Sequence, residues 1–420
     1  MTGLDWLCCK STSGIHLPFD LRHLRLDKIA MHLFTLLSST IFAVLSAVNS
    51  YAASEDSVPA LAKMISGLTA DHSVLDLPEG VYTIGSTWTI SKPGITIHGA
   101  GPGKTVLIRD PNFNGVLVRM DGEKSALSNL TLDGNGTRTV VSLNRARITL
   151  DSIEVKNFTH IGIAVPASDC RITGCLISGL GTAAAQSMGI WHDAGKIPSE
   201  STITIEHSTI RNNGMCGIYC TGGKITIANN IITGNHIITN IGGGQVDVGN
   251  AFTTNTVAII TGNTIADGGS SKAGAIEMGG GHFTVTNNTI RNHGSCGVGT
   301  GHNVIGAKIT GNVISNCGRN PNERNQPQCR SGIYVGYGAA NVVISDNRCF
   351  DNQPNKTQTW GVILAPPPTR ADPRFASKAT EHVVVKHNDL RGNIHPEGLL
   401  DESGARDKLI STNVPPRANQ

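Results

Sequence analysis

From about residue 145 onward, one pattern of apolar and polar positions recurs: an apolar residue, two further positions, a polar residue, one more position, then a second apolar residue. The clearest copies read ITIANNII around Asn230, IITGNTI around Asn263, VTNNTI around Asn288 and ITGNVI around Asn312. Fainter copies centre on Asp151, Cys175, Ser208, Asn347 and Asn388. A unit of roughly 22–25 residues, stretched in places by insertions, accounts for all of them and has the length of a solenoid repeat. Three residues before the centres stand Ile148, Ile172, Ile205, Ile227, Ile260, Val285, Ile309, Ile344 and Val385. Two residues after them stand Ile153, Ile177, Ile210, Ile232, Ile265, Ile290, Ile314, Cys349 and Leu390. Parallel strands stacked about 4.8 Å apart put like above like, so these columns are predicted to line one shared core. Asn at the centre suits a tight turn, where it tolerates left-handed backbone and can bond along the stack.

A second strand follows each of these motifs. Its copies begin GIAV at Gly162, GIWH at Gly189, GIYC at Gly217, GQVD at Gly244, GAIE at Gly274, GIYV at Gly332 and GVIL at Gly361. Gly opens each one, as a bend between strands requires. At least two short strands per rung, joined by sharp corners, make an all-β parallel β-helix. Propeller blades need four strands per roughly 40 residues with Trp-Asp signals, which the sequence lacks. The pattern places the β-helix domain at 53–395 and leaves 396–420 as a C-terminal tail.

The segment Val74 to Leu107, VLDLPEGVYTIGSTWTISKPGITIHGAGPGKTVL, resembles the first rungs of the pectin-lyase-like superfamily, whose members are right-handed parallel β-helices. Its glycines make tight corners; no βαβ context follows them, so they do not mark a dinucleotide site. Ser57 to Ser66, with Val58, Leu61, Ala62 and Ile65 at helical spacing, looks like the short N-terminal helix that caps the open core in that superfamily. The resemblance spans about 55–395. It implies a carbohydrate polymer as substrate or ligand, but the superfamily holds lyases, hydrolases, epimerases, tailspikes and non-catalytic binders, so fold alone selects no reaction. The Asn-Thr-Asp, Asp-Asp, Gly-His-Gly and Arg-Ile-Lys motifs of polygalacturonases are absent, as is the Asp-Pro-His-Glu of mannuronan epimerases.

Residues 1–52 read as an export segment. The apolar run Leu33 to Val48 follows Arg22, Arg25 and Lys28, and small residues precede a cleavage point after Ala52. The run falls short of the roughly 20 residues that span a bilayer. The expectation is a secreted or periplasmic protein with no membrane association after cleavage. Gly at 49 of 420 residues, aromatics at 4% and charged residues at 15% suit short strands and tight turns. A net charge of +3 is too small to imply a nucleic-acid partner. In an oxidising compartment some of the ten cysteines can pair. Cys317 and Cys329, which bracket the insertion GRNPNERNQPQ, are the best candidates, whereas Cys175 and Cys349 fall in core columns.

Period-2 alternation places Val246, Val248, Ile276 and Met278 inward, and so Asp247 and Glu277 outward. The same rule turns Trp191, Asp193, Tyr219 and Thr221 outward. One line would then carry Trp191, Tyr219, Gln245 and Tyr334 as a substrate-binding face, with Asp193, Thr221, Asp247 and Glu277 beside it. Aromatic rings stack on sugar rings, while carboxylates bond hydroxyls, hold calcium or move protons. Carboxyls on neighbouring rungs come roughly 5 Å apart. A slip of one residue would instead give an inward ladder of His192, Cys220, Asp247 and Glu277. Arg211 and Arg291, in the matching strings TIRNNG and TIRNHG, form a second constellation, and Arg147, Arg171 and Lys308 share an outward column. His302 falls on the rung after Glu277 and joins Asp247, Glu277 and Asp193 as a candidate acid or base. His282, His293 and His302 lack the tight spacing of a metal site. Taken together, the sequence predicts an exported protein acting on a polysaccharide by lysis, hydrolysis or epimerisation. The alternative is a non-catalytic carbohydrate-binding or surface structural solenoid.

Overall fold

The computed structural model describes residues 55–68, 73–166, 169–181, 186–193, 201–237, 243–250, 254–269, 273–320, 330–367 and 379–414. Residues 1–52, read from the sequence as an export segment, and Cys329 of the expected cysteine pair lie outside them. Cys317 is a buried free thiol. Among the described residues no helix is long and apolar enough to cross a membrane.

Thirteen parallel strands, each adding beside the last, form one face, from Val74–Leu77 at one end to Arg406–Ser411 at the other. The remaining strands form two further faces. These merge in the long strands Thr131–Leu143 and Glu154–Val165, which pair with each other along both. Every rung pairs in parallel with the next, which is a right-handed parallel β-helix. Both aliphatic columns point inward as the periodicity requires: Ile172, Ile205, Ile227 and Ile260 are fully buried, as are Ile177, Ile210, Ile232 and Ile265. The first copy is out of step by two residues: Leu150, not Ile148, lies opposite Ile172, Val155, not Ile153, opposite Ile177, and Thr149, not Arg147, opposite Arg171. Cys175 and Cys349 are buried members of the same core.

The corner asparagines behave differently from the expected left-handed turn residue. The positive φ falls one position earlier, on His207, Asn229, Gly262, Asn287, Gly311, Asp346 and His387. The centre Asn is thereby turned into the stack. Asn230 Nδ2 donates to Asn263 Oδ1, Asn263 to Asn288, Asn288 to Asn312, Asn312 to Asn347, Asn347 to Asn388 and Asn388 to Asn413, at 2.9–3.0 Å. Each Oδ1 also accepts the preceding asparagine's backbone N–H, so these buried amides meet partners that burial would otherwise deny them.

A helix closes the first end of the core. The helix Val58–Ser66 buries Leu61 and Ile65 against the first rungs, while Ala62 stays exposed. Asp56 anchors it by accepting from the N–H groups of Val58 and Gly85 and from Ser86 Oγ. At the other end the stack continues through the segment read as a tail: Leu399–Asp401 pairs with Trp360–Leu364, and Arg406–Ser411 with Glu381–Lys386. Lys408 lies opposite the buried Val383, and its ammonium pairs with Asp401.

Candidate active site

The Gly-opened strands stack into one face, and hydrogen-bonded register fixes a single outward column along it. Ala164 lies opposite Trp191, Trp191 opposite Tyr219, Tyr219 opposite Asp247 and Asp247 opposite Glu277. The column continues through Gly299 and Tyr334 to Ile363 and Leu400. Asp247 and Glu277 therefore stand in the aromatic line itself, not beside it. The inward neighbours His192, Cys220, Val248 and Met278 are buried, so the slipped ladder does not form.

Asp193 lies opposite Thr221, and Thr221 Oγ1 donates to Asp193 Oδ1 at 3.0 Å. The position after Thr221 in that row belongs to glycine, since Gly249 pairs with Gly279; Asp193 thus sits one row over from the carboxylate pair. Gln245 is not on the outer face. It lies opposite Gly217 and is completely buried, with Oε1 accepting from Asn235 and Nε2 donating to the Ala266 carbonyl. The reason is local: Gly243-Gly244 offers two possible openings for the strand, and the chain uses the later register, which sends Gln245 into the corner. Tyr334 holds its predicted outward place but is covered, packing with Cys296, Ile363 and Ala365 in a small apolar cluster outside the main core. Arg211 and Arg291 end the short strands one corner earlier in each rung, and Arg291 approaches Asp267 at 4.0 Å. Among the described residues no hydrogen bond or ion pair joins them to the pair.

Burial and the neighbouring Glu277 push Asp247 up to about 8, and burial pushes Glu277 up to about 7. Glu277 Oε2 accepts the Gly274 N–H at 2.8 Å, which favours its ionised form. Two like charges on adjacent strands resist ionising together, so near neutral pH the pair holds about one proton between them. Tyr219, hydrogen-bonded to Asn250, is pushed up to about 12 by burial and by Asp247. On the other side, Tyr337 lies between Tyr334 and His302, with ring centres 6.0 Å and 4.5 Å away. Asn250 and Tyr337 carry no periodic signal, because both lie just outside the regular strands; Gly274 does, as a strand-opening glycine, but its N–H as a donor to Glu277 shows only in the hydrogen bonds.

Among the described residues no group of three His, Cys, Asp or Glu side chains is disposed to hold a metal ion. His282 sits on the thirteen-stranded face, His293 is buried in a corner and His302 faces Tyr337, so the three histidines do not converge. Arg119 occupies the same outward column, five steps before Asp247, and pairs there with Asp121. No cation among the described residues contributes to the shifts of Asp247 or Glu277.

Comparisons place this architecture among known folds. The A-module of a mannuronan C-5 epimerase from Azotobacter vinelandii superposes with a TM-score of 0.64 at 17% identity, over 88% of this chain and 97% of that one. A PL6 alginate lyase solved with a trisaccharide gives 0.54 at 14%, over 85% and 82%. The Dettilon tailspike protein gives 0.53 at 16%, over 84% and 64%. At these identities the likeness is one of fold. No curated protein sequence matches the chain. The family model described as "Right handed beta helix region" matches residues 104–257 and 199–361, together more than half of the sequence. With the matching repeat columns and parallel registers, this makes the chain a member of the right-handed β-helix family.

Proposed function

We propose that this protein is an exported polysaccharide-processing enzyme that uses Asp247 and Glu277 as an acid–base pair. The observation that carries the reading is their placement: two outward carboxyls on adjacent strands, both raised, within a column that bears Trp191 and Tyr219 on one side and Tyr334 on the other. Hydrolysis with retention suits the geometry best. Neighbouring rungs set the two backbones roughly 5 Å apart, which allows the about 5–5.5 Å between carboxyls that retaining glycosidases use. Glu277, held ionised by the Gly274 N–H, attacks the anomeric carbon. Asp247, which keeps the shared proton, gives it to the departing glycosidic oxygen. Water then enters with Asp247 as base and releases Glu277. Trp191 offers a ring to stack on a sugar two rungs before Asp247.

A second reading is elimination or epimerisation on a uronate, the polymer class named for the epimerase and the lyase of similar fold. Tyr219 beside Asp247, and His302 against Tyr337, favour it by adding proton carriers at the pair. Among the described residues no Lys or Arg shifts either carboxyl, whereas uronate chemistry needs a positive charge to neutralise the substrate carboxylate, so hydrolysis stands first. The test is a panel of neutral glucans, alginate, pectin and glycosaminoglycans treated with purified protein. New reducing ends without ultraviolet absorbance support hydrolysis. An unsaturated uronate chromophore supports elimination. Retained binding with neither product overturns both and favours a non-catalytic binder. The reading of residues 1–52 as an export leader is checked by N-terminal sequencing of the protein recovered outside the cytoplasm, with Ala53 as the expected first residue.

A further inference from the structure

The second corner of each rung has its own row of positions, two residues past the short strands: Asn213, Asn235, Gly268, His293 and Cys317, with the four side chains of the row buried. The row breaks beside the carboxylate pair. Where asparagine would continue it stands Gly268, and a Cβ there would overlap His293 Nδ1. Gln245 reaches in from the Asp247 strand to satisfy Asn235, and the fully buried His293 ring fills the remaining space. His293 Nε2 lies 3.2 Å from the Ala273 carbonyl oxygen. A carbonyl only accepts, so Nε2 carries the proton and donates.

The peptide unit that His293 grips is the one whose other end holds Glu277. Ala273 supplies its C=O, and Gly274 supplies its N–H, which donates to Glu277 Oε2 at 2.8 Å. Hydrogen bonds at the two ends of one amide reinforce each other, and both fix the plane in which it lies. We infer that His293 is a positioning residue for Glu277, acting through the Ala273–Gly274 peptide to aim an N–H at the carboxylate and favour its ionised form. The catalytic part of this inference rests on Glu277 being the ionised partner of the pair; the structural part does not. Burial, with His236 close by, holds His293 well below the ordinary imidazole range, at about 4, so the ring stays a neutral donor across the range where the pair titrates. The ionisable groups coupled to the pair are Tyr219, Cys216 and Cys220 on the Asp247 side and Tyr334 on the Glu277 side, and each is pushed up, so all stay neutral where the pair titrates.

The experiment follows the Glu277 carboxyl by NMR in protein labelled with 13C at glutamate carboxyls, its signal assigned by its loss in Glu277→Gln. Three variants of the full chain are titrated. His293→Leu keeps bulk but cannot donate. His293→Asn is polar but too short to reach Ala273. His293→Gln restores a donor of similar reach. The expected result is a Glu277 midpoint raised by about one pH unit in the Leu and Asn variants and returned towards wild type by Gln. Turnover should fall about tenfold or more with Leu and Asn and recover with Gln. Asn serves alone should Leu prevent folding. An unchanged midpoint in a folded Leu or Asn variant overturns the inference. A raised midpoint together with full activity of Glu277→Gln leaves the inference standing and removes Glu277 from the proposed reaction.

Discussion

Gly299 stands opposite Glu277 on the next strand, and a Cβ there would lie 2.6 Å from Glu277 Oε2. The carboxylate occupies space that any side chain at 299 would take. Gly299→Ala should displace Glu277 and cut turnover by about tenfold or more, with little change in melting temperature, since the conflict is on the outer face. Steady-state kinetics beside thermal unfolding checks this. A full loss of folding would mean that the glycine serves the backbone and not the carboxylate.

Asp247→Asn and Glu277→Gln should each reduce turnover by orders of magnitude while keeping the fold, because each removes a proton carrier without changing size. They also carry a pH signature. Both groups have folded values raised above their unfolded ones. The protonated forms are therefore favoured by folding, and that contribution is fully present below about pH 4 and lost as pH rises through about 7 to 8. Relative to wild type, the amide variants should gain stability between pH 5 and pH 9 and gain none at pH 3.5. Melting temperatures across that range decide it; a difference that grows towards acid would contradict the assigned shifts.

Trp191 lies two strands before Asp247 in the same column, with no bond to either carboxyl. Trp191→Ala should raise KM several-fold on long substrates and leave kcat within about twofold, as expected for lost stacking of roughly 1 kcal/mol. An equal fall in kcat with unchanged KM would place the ring at the reacting sugar instead.

Ile227→Asp should unfold the protein or cost several kcal/mol, because a lone carboxylate would enter a fully buried aliphatic column. Asn355→Asp, at an exposed insertion, should be neutral. Equal denaturant midpoints for the two would disprove the column.

The core columns were legible because stacking repeats one chemical demand at one position, and Ile227 or Ile290 answers it the same way in every rung. The outward site was legible only by parity. Alternation told that Asp247 and Glu277 face away from Val246 and Met278, but not which residues lie across from them. That depends on where each insertion ends, and Gly243-Gly244 hid the answer for the Asp247 rung. Gln245 was misplaced for that reason, and Asp247 was set in the row of Thr221 when its partner is Tyr219. Arg211 and Arg291 shared a motif without sharing the site. The grip of His293 on the 273–274 peptide has no sequence signature, because it joins residues brought together only by the break at Gly268.

The ion pair of Lys408 with Asp401 has a consequence for how long such an object can grow. A parallel stack has no built-in stop: its last strand offers the same unpaired amides and carbonyls as every strand before it, and a bare final rung is a template for the next molecule. Here the last strand brings an ammonium to a place that rung after rung has filled with a hydrocarbon, opposite Val383. Another chain laid against it would have to strip water from that charge, which sets a cost against the apolar area that Ile410, opposite the buried Val385, leaves exposed on the same strand. A charge set in a row of hydrocarbon opposes the addition of a further strand in register, and so favours a discrete particle over a fibre.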